Sequence, residues 1–406
     1  MRVVVLGAGI AGLTSAWYLS EAGADVTLVD RGAAPASETS HANGGHISTQ
    51  SATPWTGPRE ILAFILSRGR RQRAVRVHLS SYPEFVPWSW HALAASRPAP
   101  HRRAHAHLRR LAAYSRECFD ALAGEQKLDV ALESTGTLGL YRSERAFRRA
   151  RRIKNAAEPL GPADILEREP ALANARVRPV GALYYPGDAT GDCHRFCEQL
   201  AARLEQRGTT LHWHTPVRDL HFEDGRLRAI VTDGQAIDTD ACVVALGADA
   251  ARFMRALRVR LPIIPLRGYT LTAPITPGAH APGRFVDAES HLVFARLGDR
   301  FRAAGMADFA GLSRDEPANR LAQLERLSRD WYPDMAAPEF WACLRPITPD
   351  GPPIIGDSGL PGVWLHTGHG PLGWTLACGT ARLLADLMLG RTPALALDGL
   401  TRERFD

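Results

Sequence analysis

Residues 2–6 (RVVVL) form an almost unbroken apolar run, the pattern of a strand covered on both faces. A helical repeat follows through residue 21, and a second apolar run, Asp25–Val29, ends at Asp30. Further along, residues 210–214 read as a strand, and Val217 opens a β-meander whose turn is Glu223, Asp224 and Gly225. Residues 240–246 form another apolar strand that stops at Gly247. Residues 263–309 contain β-rich runs such as 263–273 and 291–294, with little helical period. Near the C-terminus a strand at Val363–Thr367 is followed by a helix from residue 374 to about residue 389.

The turn after the first strand is Gly7, Ala8, Gly9, Ile10, Ala11, Gly12, so strand, G-x-G-x-x-G, helix and strand follow in order, with an acid 18 residues after Gly12. Gly7 allows the tight turn, Gly9 lets a pyrophosphate touch the backbone, and Gly12 lets the helix pack close to the sheet. Free N–H groups and the dipole at the helix start stabilise phosphate charge. Asp30 accepts hydrogen bonds from a ribose diol and repels a 2′-phosphate, which disfavours NADP. Ala16, Leu19, Gly23 and Val26 also fall where the extended pattern places them. The segment predicts a dinucleotide site.

Composition narrows the class without naming a chemistry. The 406 residues are 45% hydrophobic and 23% charged, which suits a folded globular protein. All but Lys127 and Lys154 of the 49 cationic residues are arginine. Ten arginines (68, 70, 71, 73, 76, 97, 102, 103, 109, 110) face one acid, Glu84, between residues 61 and 110, so the rest of the chain is slightly acidic. That distribution does not suit a nucleic-acid-binding protein. Apolar and aromatic residues (Ile61, Leu62, Phe64, Ile65, Leu66, Phe85, Trp88, Trp90) interleave with these arginines, a mixture that suits either an amphipathic helical region or contact with an anionic membrane. Six cysteines without CxxC or zinc spacing fit a reducing compartment, and no metal site is expected. The apolar run 3–19 is broken by three glycines and lacks a cleavage site, so it does not read as a signal peptide. A cytoplasmic protein is expected, peripheral at the inner face of the plasma membrane if the basic stretch touches lipid.

The choice between NAD and FAD turns on two later segments. Residues 38–46 (ETSHANGGH) are small and polar, suited to a loop that donates backbone N–H groups to phosphate and isoalloxazine. Gly368, His369, Gly370, Pro371, Leu372 and Gly373 repeat the glycine spacing before the last helix, but no strand ending in an acid follows to hold a second ribose. A helix start there suits the electron-rich edge of a flavin ring, where reduction places negative charge. One cofactor with two glycine-rich contacts is FAD.

Taken together, the stretches VVVLGAGIAGLTSAWYLSEAGADVTLVDR, ETSHANGGHIS, TPW, AAYSRECFDAL, PGDATGDC, PLRGYTL, WACLRPITPDGPPIIG and TGHGPLGWTLACG resemble the D-amino-acid dehydrogenase branch, small-subunit type, of the D-amino-acid oxidase superfamily. The resemblance implies an α/β FAD-binding Rossmann-type domain assembled from residues 1–60, 185–250 and 345–406. It is interleaved with an α+β substrate domain of residues 61–184 and 251–344, built on an antiparallel sheet that roofs the flavin. Cofactor contacts are then expected from Gly7, Ala8, Gly9, Ile10, Ala11, Gly12, Asp30 and Arg31; from Ser40, Asn43, Gly44, Gly45, His46 and Ile47; from Val217, Ala245, Gly247 and Arg345; and from Gly368, His369, Gly370, Leu372, Gly373, Trp374 and Thr375.

The resemblance also implies that Arg345 grips the substrate carboxylate, since a guanidinium offers two parallel donors to a carboxylate fork. The alternative for Arg345 is an ion pair with Asp350. Tyr269, His46 and His291 are candidates to line the substrate cavity, with packing as the alternative for Tyr269 and a structural hydrogen bond for His46. The implied reaction is oxidation of a D-amino acid to its imine, which hydrolyses to a 2-oxo acid and ammonia, with electrons passing to a quinone or other acceptor. The competing readings are an oxygen-dependent oxidase of a secondary amine such as sarcosine, proline or hydroxyproline, and a flavin-binding protein without turnover. Cys343 lies seven residues before Asp350, where the sarcosine-oxidase branch carries a cysteine linked to flavin and the dehydrogenases carry glycine. A small core thiol is the alternative.

Overall fold

The computed structural model describes residues 1–55, 57, 75–78, 82–152 and 157–406. The expectations placed on Ile61, Leu62, Phe64, Ile65, Leu66, Arg68, Arg70, Arg71 and Arg73 lie outside these residues. The predicted parallel β-sheet is present with six strands, in the order Ile354–Asp357, Val363–Thr367, Ala241–Val244, Arg2–Leu6, Asp25–Val29, Thr210–His212. Neighbours are parallel except the first pair.

The unbroken hydrophobicity of the central strand has a direct cause. Val3 and Val5 pack with Leu13, Trp17, Leu200 and Leu204 of the helices Ile10–Glu21 and Cys193–Gln206. Val4 and Leu6 pack on the opposite side with Leu220 and Ile230 of a three-stranded antiparallel meander. Each of these buried side chains contributes roughly 1.5–3 kcal/mol, so a polar residue at any of them is costly. The helix Gly373–Met388 crosses the long helix Pro98–Glu125 at Gly379, where a Cβ would stand 2.7 Å from Ser115 and the Ser115 hydroxyl accepts the Gly379 N–H at 3.0 Å.

The second large sheet is mainly antiparallel. Its main path runs Glu339–Ile347, Ile264–Pro274, Arg300–Phe309, Leu292–Leu297, Phe285–Asp287, Thr137–Tyr141, Gly181–Tyr185, Glu158–Leu160. One face is sealed by Tyr269, Phe285, Phe294 and Phe301 against Leu324 and Trp331 of the helix Ala318–Trp331. The other face meets residues 38–46: the Thr270 hydroxyl donates to the Ala42 carbonyl at 2.7 Å.

Element ends differ slightly from those read in the sequence. The strand predicted over 210–214 stops at His212, because His214 takes a left-handed backbone (φ +50°). The last helix begins at Gly373 and ends at Met388. The predicted turn of the meander is present, with Asp224 and Gly225 both at positive φ.

A Cβ at Gly12 would lie 1.7 Å from the Gly7 carbonyl oxygen, whereas one at Gly234 would meet nothing within 4 Å. Gly12→Ala therefore costs at least about 3 kcal/mol or prevents folding, while Gly234→Ala stays within about 1 kcal/mol of the parent. Denaturant unfolding of the two variants checks this.

Candidate functional site

The first turn is shaped by backbone contact. Gly7 has φ +104°, and a Cβ there would come within 2.7 Å of the Ala245 carbonyl oxygen at the end of the neighbouring strand. Gly9 sits before the first helix in an extended conformation, and a Cβ on it would meet only the Ser40 hydroxyl, at 3.4 Å. Ser40 accepts the Ile10 N–H at 3.0 Å and so satisfies one amide of that helix end. Both oxygens of half-buried Asp30 accept backbone N–H groups at 2.6 Å, from Ala8 and from Gly32. Each oxygen keeps a further lone pair for a ribose hydroxyl. Arg31 is drawn into a ring of charges: it bonds Glu38 at 2.7 Å and Asp249 at 3.0 Å, and Arg314 bonds the same two acids.

Residues 38–46 are pinned from several sides. Thr39 donates to the Leu344 carbonyl at 2.8 Å, and the Asn43 side chain accepts the Gly45 N–H at 2.9 Å. A Cβ at Gly44 would press to 2.5 Å from Val293 of the antiparallel sheet. His46 and Ile47 pair with Ala189 and Thr190 in a two-stranded ribbon. The His46 ring lies 3.0 Å from the Phe294 carbonyl; burial lowers its pKa, so it is neutral and donates its Nε2–H there. The structural hydrogen bond is thus where the structure places His46.

Arg345 occupies the strand Glu339–Ile347, opposite Leu266. Its guanidinium crosses over Gly268, where a Cβ would stand 2.3 Å from Nη2, and donates to the Met306 carbonyl at 3.2 Å. Among the described residues it has no carboxylate partner. Asp350, the alternative partner, is held in a two-pronged pair by Arg404 at 2.8 and 3.2 Å. Arg345 therefore keeps unused donors. Cys343, two residues back on the same face, is buried, and burial raises its thiol pKa.

Other candidates lie elsewhere. Tyr269 is between Gly268 and Thr270 and so projects to the opposite face of the sheet from Arg345; it is fully buried, with its hydroxyl donating to Asp308 at 2.8 Å. Packing, not cavity lining, describes it. His291 is an exposed residue of the turn before Leu292–Leu297, with φ +54°. Val217 packs beside the Leu220 and Ile230 cluster, and Leu372 packs beside Leu376. The Trp374 ring is buried between Phe119 and Phe196, whereas the Thr375 hydroxyl accepts the Ser48 N–H at 3.0 Å and ties the last helix to the loop. Gly247 (φ +53°) accepts from Thr367 at 3.2 Å.

Two groups of residues went unread in the sequence. Arg302 is buried against neutral acceptors, the Thr272 hydroxyl at 3.0 Å and the Asn43 carbonyl at 3.5 Å, and burial lowers its pKa to about 10. It places a cation beside the 38–46 loop. The other group is a chain of buried hydroxyls and imidazoles. Thr380 Oγ1 lies 2.7 Å from His366 Nε2 and 3.1 Å from His369 Nε2, while His366 Nδ1 lies 3.0 Å from the Ala11 carbonyl and 2.7 Å from Ser15 Oγ. The Ala11 carbonyl only accepts, which assigns the proton of His366 to Nδ1. The Thr380 hydroxyl also lies 2.8 Å from the Leu376 carbonyl, so its one proton is shared between that carbonyl and the His366 ring. The chain joins the second glycine-rich turn to the first helix, and burial holds the His366 pKa at about 4 and that of His369 well below its usual value.

The sequence profile described as FAD dependent oxidoreductase matches residues 2–387, so the chain belongs to that family, and its cofactor is FAD. Solved structures of similar fold include glycine oxidase from Bacillus cereus (TM-score 0.74, 19% identity, covering 98% of this chain and 99% of that one). Iminodiacetate oxidase from Chelativorans sp. has TM-score 0.73 and 21% identity, covering 99% of each chain. L-proline dehydrogenase from P. horikoshii has TM-score 0.73 and 17% identity, covering 100% of this chain and 97% of that one. The chain is an FAD-dependent oxidoreductase. The residues present fit the cofactor: Gly7 and Gly12 permit a close strand–helix turn, the front of Gly9 is left open but for one hydroxyl, and Asp30 stands at the end of the second strand.

The His366 shift has a definite sign. The folded protein keeps this ring neutral down to about pH 4, whereas an unfolded chain protonates it near pH 6.5. Stability is therefore full above pH 6.5 and falls by roughly 3 kcal/mol on acidification towards pH 4. His366→Gln flattens this part of the stability profile relative to the parent, which chemical denaturation at each pH reads directly.

Proposed function

We propose that the protein oxidises D-amino acids to their imines, which hydrolyse to 2-oxo acids and ammonia, and passes the electrons to a quinone or another acceptor. The observation that carries this reading is Arg345, a guanidinium without a carboxylate partner among the described residues, on the sheet face that meets the 38–46 loop. A substrate carboxylate supplies the missing partner in a two-pronged pair. The likeness to glycine oxidase, iminodiacetate oxidase and L-proline dehydrogenase supports a substrate that carries both an amine and a carboxylate.

FAD, when bound, supplies the two-electron acceptor. The protein's own share is positioning: Arg345 fixes the substrate by its carboxylate, and the neutral imidazole of His46 adds no positive charge that would repel a substrate ammonium. In this reading the FAD domain comprises residues 1–60, 185–250 and 345–406, and the substrate domain residues 61–184 and 251–344, with the last crossover in the strand that carries Arg345. The protein works in the cytoplasm or at the inner face of the plasma membrane. No helix among the described residues is long and apolar enough to cross a membrane.

A second reading, an oxygen-dependent oxidase of a secondary amine, draws on Cys343, placed on the same strand face as Arg345. In the reading preferred here Cys343 is an unlinked core thiol. Acid precipitation of the holoenzyme accordingly releases all the FAD into the supernatant; yellow protein in the pellet, heavier by the mass of FAD, reverses that assignment.

Arg345→Ala raises KM and lowers kcat, a loss in kcat/KM of at least about a hundredfold, while FAD stays bound. Arg345→Lys keeps the charge but recovers only part of this, because the fork is lost. Dye-linked turnover of D-amino acids, with FAD content measured on the same samples, checks both. Parent-like kinetics in both variants would remove the carboxylate assignment.

A further inference from the structure

The helix Tyr82–Ala95 is apolar on two opposite sides. Its inner side, Phe85, Trp88 and Ala92, packs with Ile264, Leu266, Phe309 and Ile347 of the antiparallel sheet. The Trp88 indole N–H donates to the Ile347 carbonyl at 3.2 Å, two residues from Arg345. The outer side repeats at helical spacing as well. Val86, Trp90 and Leu93 are 47%, 70% and 48% exposed, half of the large hydrophobic residues that stand exposed among the described residues, and Pro83, Pro87 and Ala94 are exposed beside them. A surface helix normally turns charged and polar residues outward. This one holds a single charged side chain, Glu84, and that is paired with Arg255 at 3.4 Å.

The positive charge begins where the helix ends. Arg97, Arg102 and Arg103 are exposed and have no carboxylate partner among the described residues. The sequence holds no acid between Glu84 and Glu117. An exposed apolar stripe that includes a tryptophan, followed directly along the chain by exposed arginines, is complementary to a lipid surface that is apolar inside and anionic at its headgroups. A second copy of the chain is a poor occupant, because a twofold contact through this face would bring the two arginine clusters together.

We propose that this face docks the protein on an anionic membrane, with Val86, Trp90 and Leu93 entering the headgroup boundary and Arg97, Arg102 and Arg103 lying against lipid phosphates. The Trp88 hydrogen bond ties the docking helix to the strand that carries Arg345. The lipid-soluble acceptor of the proposed function would thus be met close to the site. The docking itself does not depend on which substrate is oxidised.

The test uses the FAD-loaded full chain and vesicles of phosphatidylcholine with about 30% phosphatidylglycerol, against vesicles of phosphatidylcholine alone. The protein sediments with the anionic vesicles, less so as salt is raised, and its tryptophan emission shifts to the blue. Trp90→Glu weakens vesicle binding at least about tenfold, as does Arg102→Glu combined with Arg103→Glu. Leu166→Glu, at an exposed leucine elsewhere, leaves binding unchanged. All variants keep the parent's melting temperature and dye-linked turnover. Failure to bind anionic vesicles overturns the proposal, as does equal sedimentation of the parent and Trp90→Glu. Self-association lost in Trp90→Glu without any vesicle binding also overturns it, by assigning the face to a second copy. Vesicle binding is read without substrate, so loss of the D-amino-acid reading would leave this result intact.

Discussion

The Gly7 carbonyl and the Gly12 backbone meet where no side chain fits, and the geometry of the site propagates from that contact. It seats the helix Ile10–Glu21 against the strand Arg2–Leu6. The seated helix presents the Ala11 carbonyl and Ser15 hydroxyl to His366, and through Thr380 to His369. His369 in turn forms a backbone bridge with Ile347, in the strand that carries Arg345. The dinucleotide turn, the second glycine-rich turn and the carboxylate-seeking arginine are therefore held in one frame.

The parts of this frame set by local pattern were legible in the sequence. The βαβ fingerprint, the meander with its Asp224–Gly225 turn and the strand–glycine–helix unit near residue 370 each follow from spacing within a few dozen residues. The faces of the antiparallel sheet were not. Whether Tyr269 or its neighbours Gly268 and Thr270 look toward the 38–46 loop depends on pairing with residues 341–343, and a slip of one residue reverses the answer. Arg302 and the His366 chain were missed for a similar reason. Their partners, Asn43 for one and Ala11 and Ser15 for the other, lie hundreds of residues away.

Charge in the interior is placed by the same logic. Buried Asp192 caps the helix Cys193–Gln206 by accepting the His194 N–H and is paired with Arg300, so its burial is compensated. Buried Asp308 is likewise matched by Arg320 and the Tyr269 hydroxyl. Against these satisfied groups, Arg302 and Arg345 bond only neutral acceptors among the described residues, and Arg345 is the more exposed of the two. A half-buried guanidinium with spare donors is suited to an anionic ligand that completes it.

The most direct test of this account is anaerobic mixing of the FAD-loaded protein with matched pairs of compounds: D- and L-amino acids, and the corresponding amines that lack the carboxylate. Bleaching of the yellow flavin by D-amino acids, with none by the decarboxylated amines at the same concentration, is the predicted result. Equal bleaching with and without the carboxylate would contradict the role of Arg345, and a flavin that no amino acid bleaches would contradict the catalytic reading altogether.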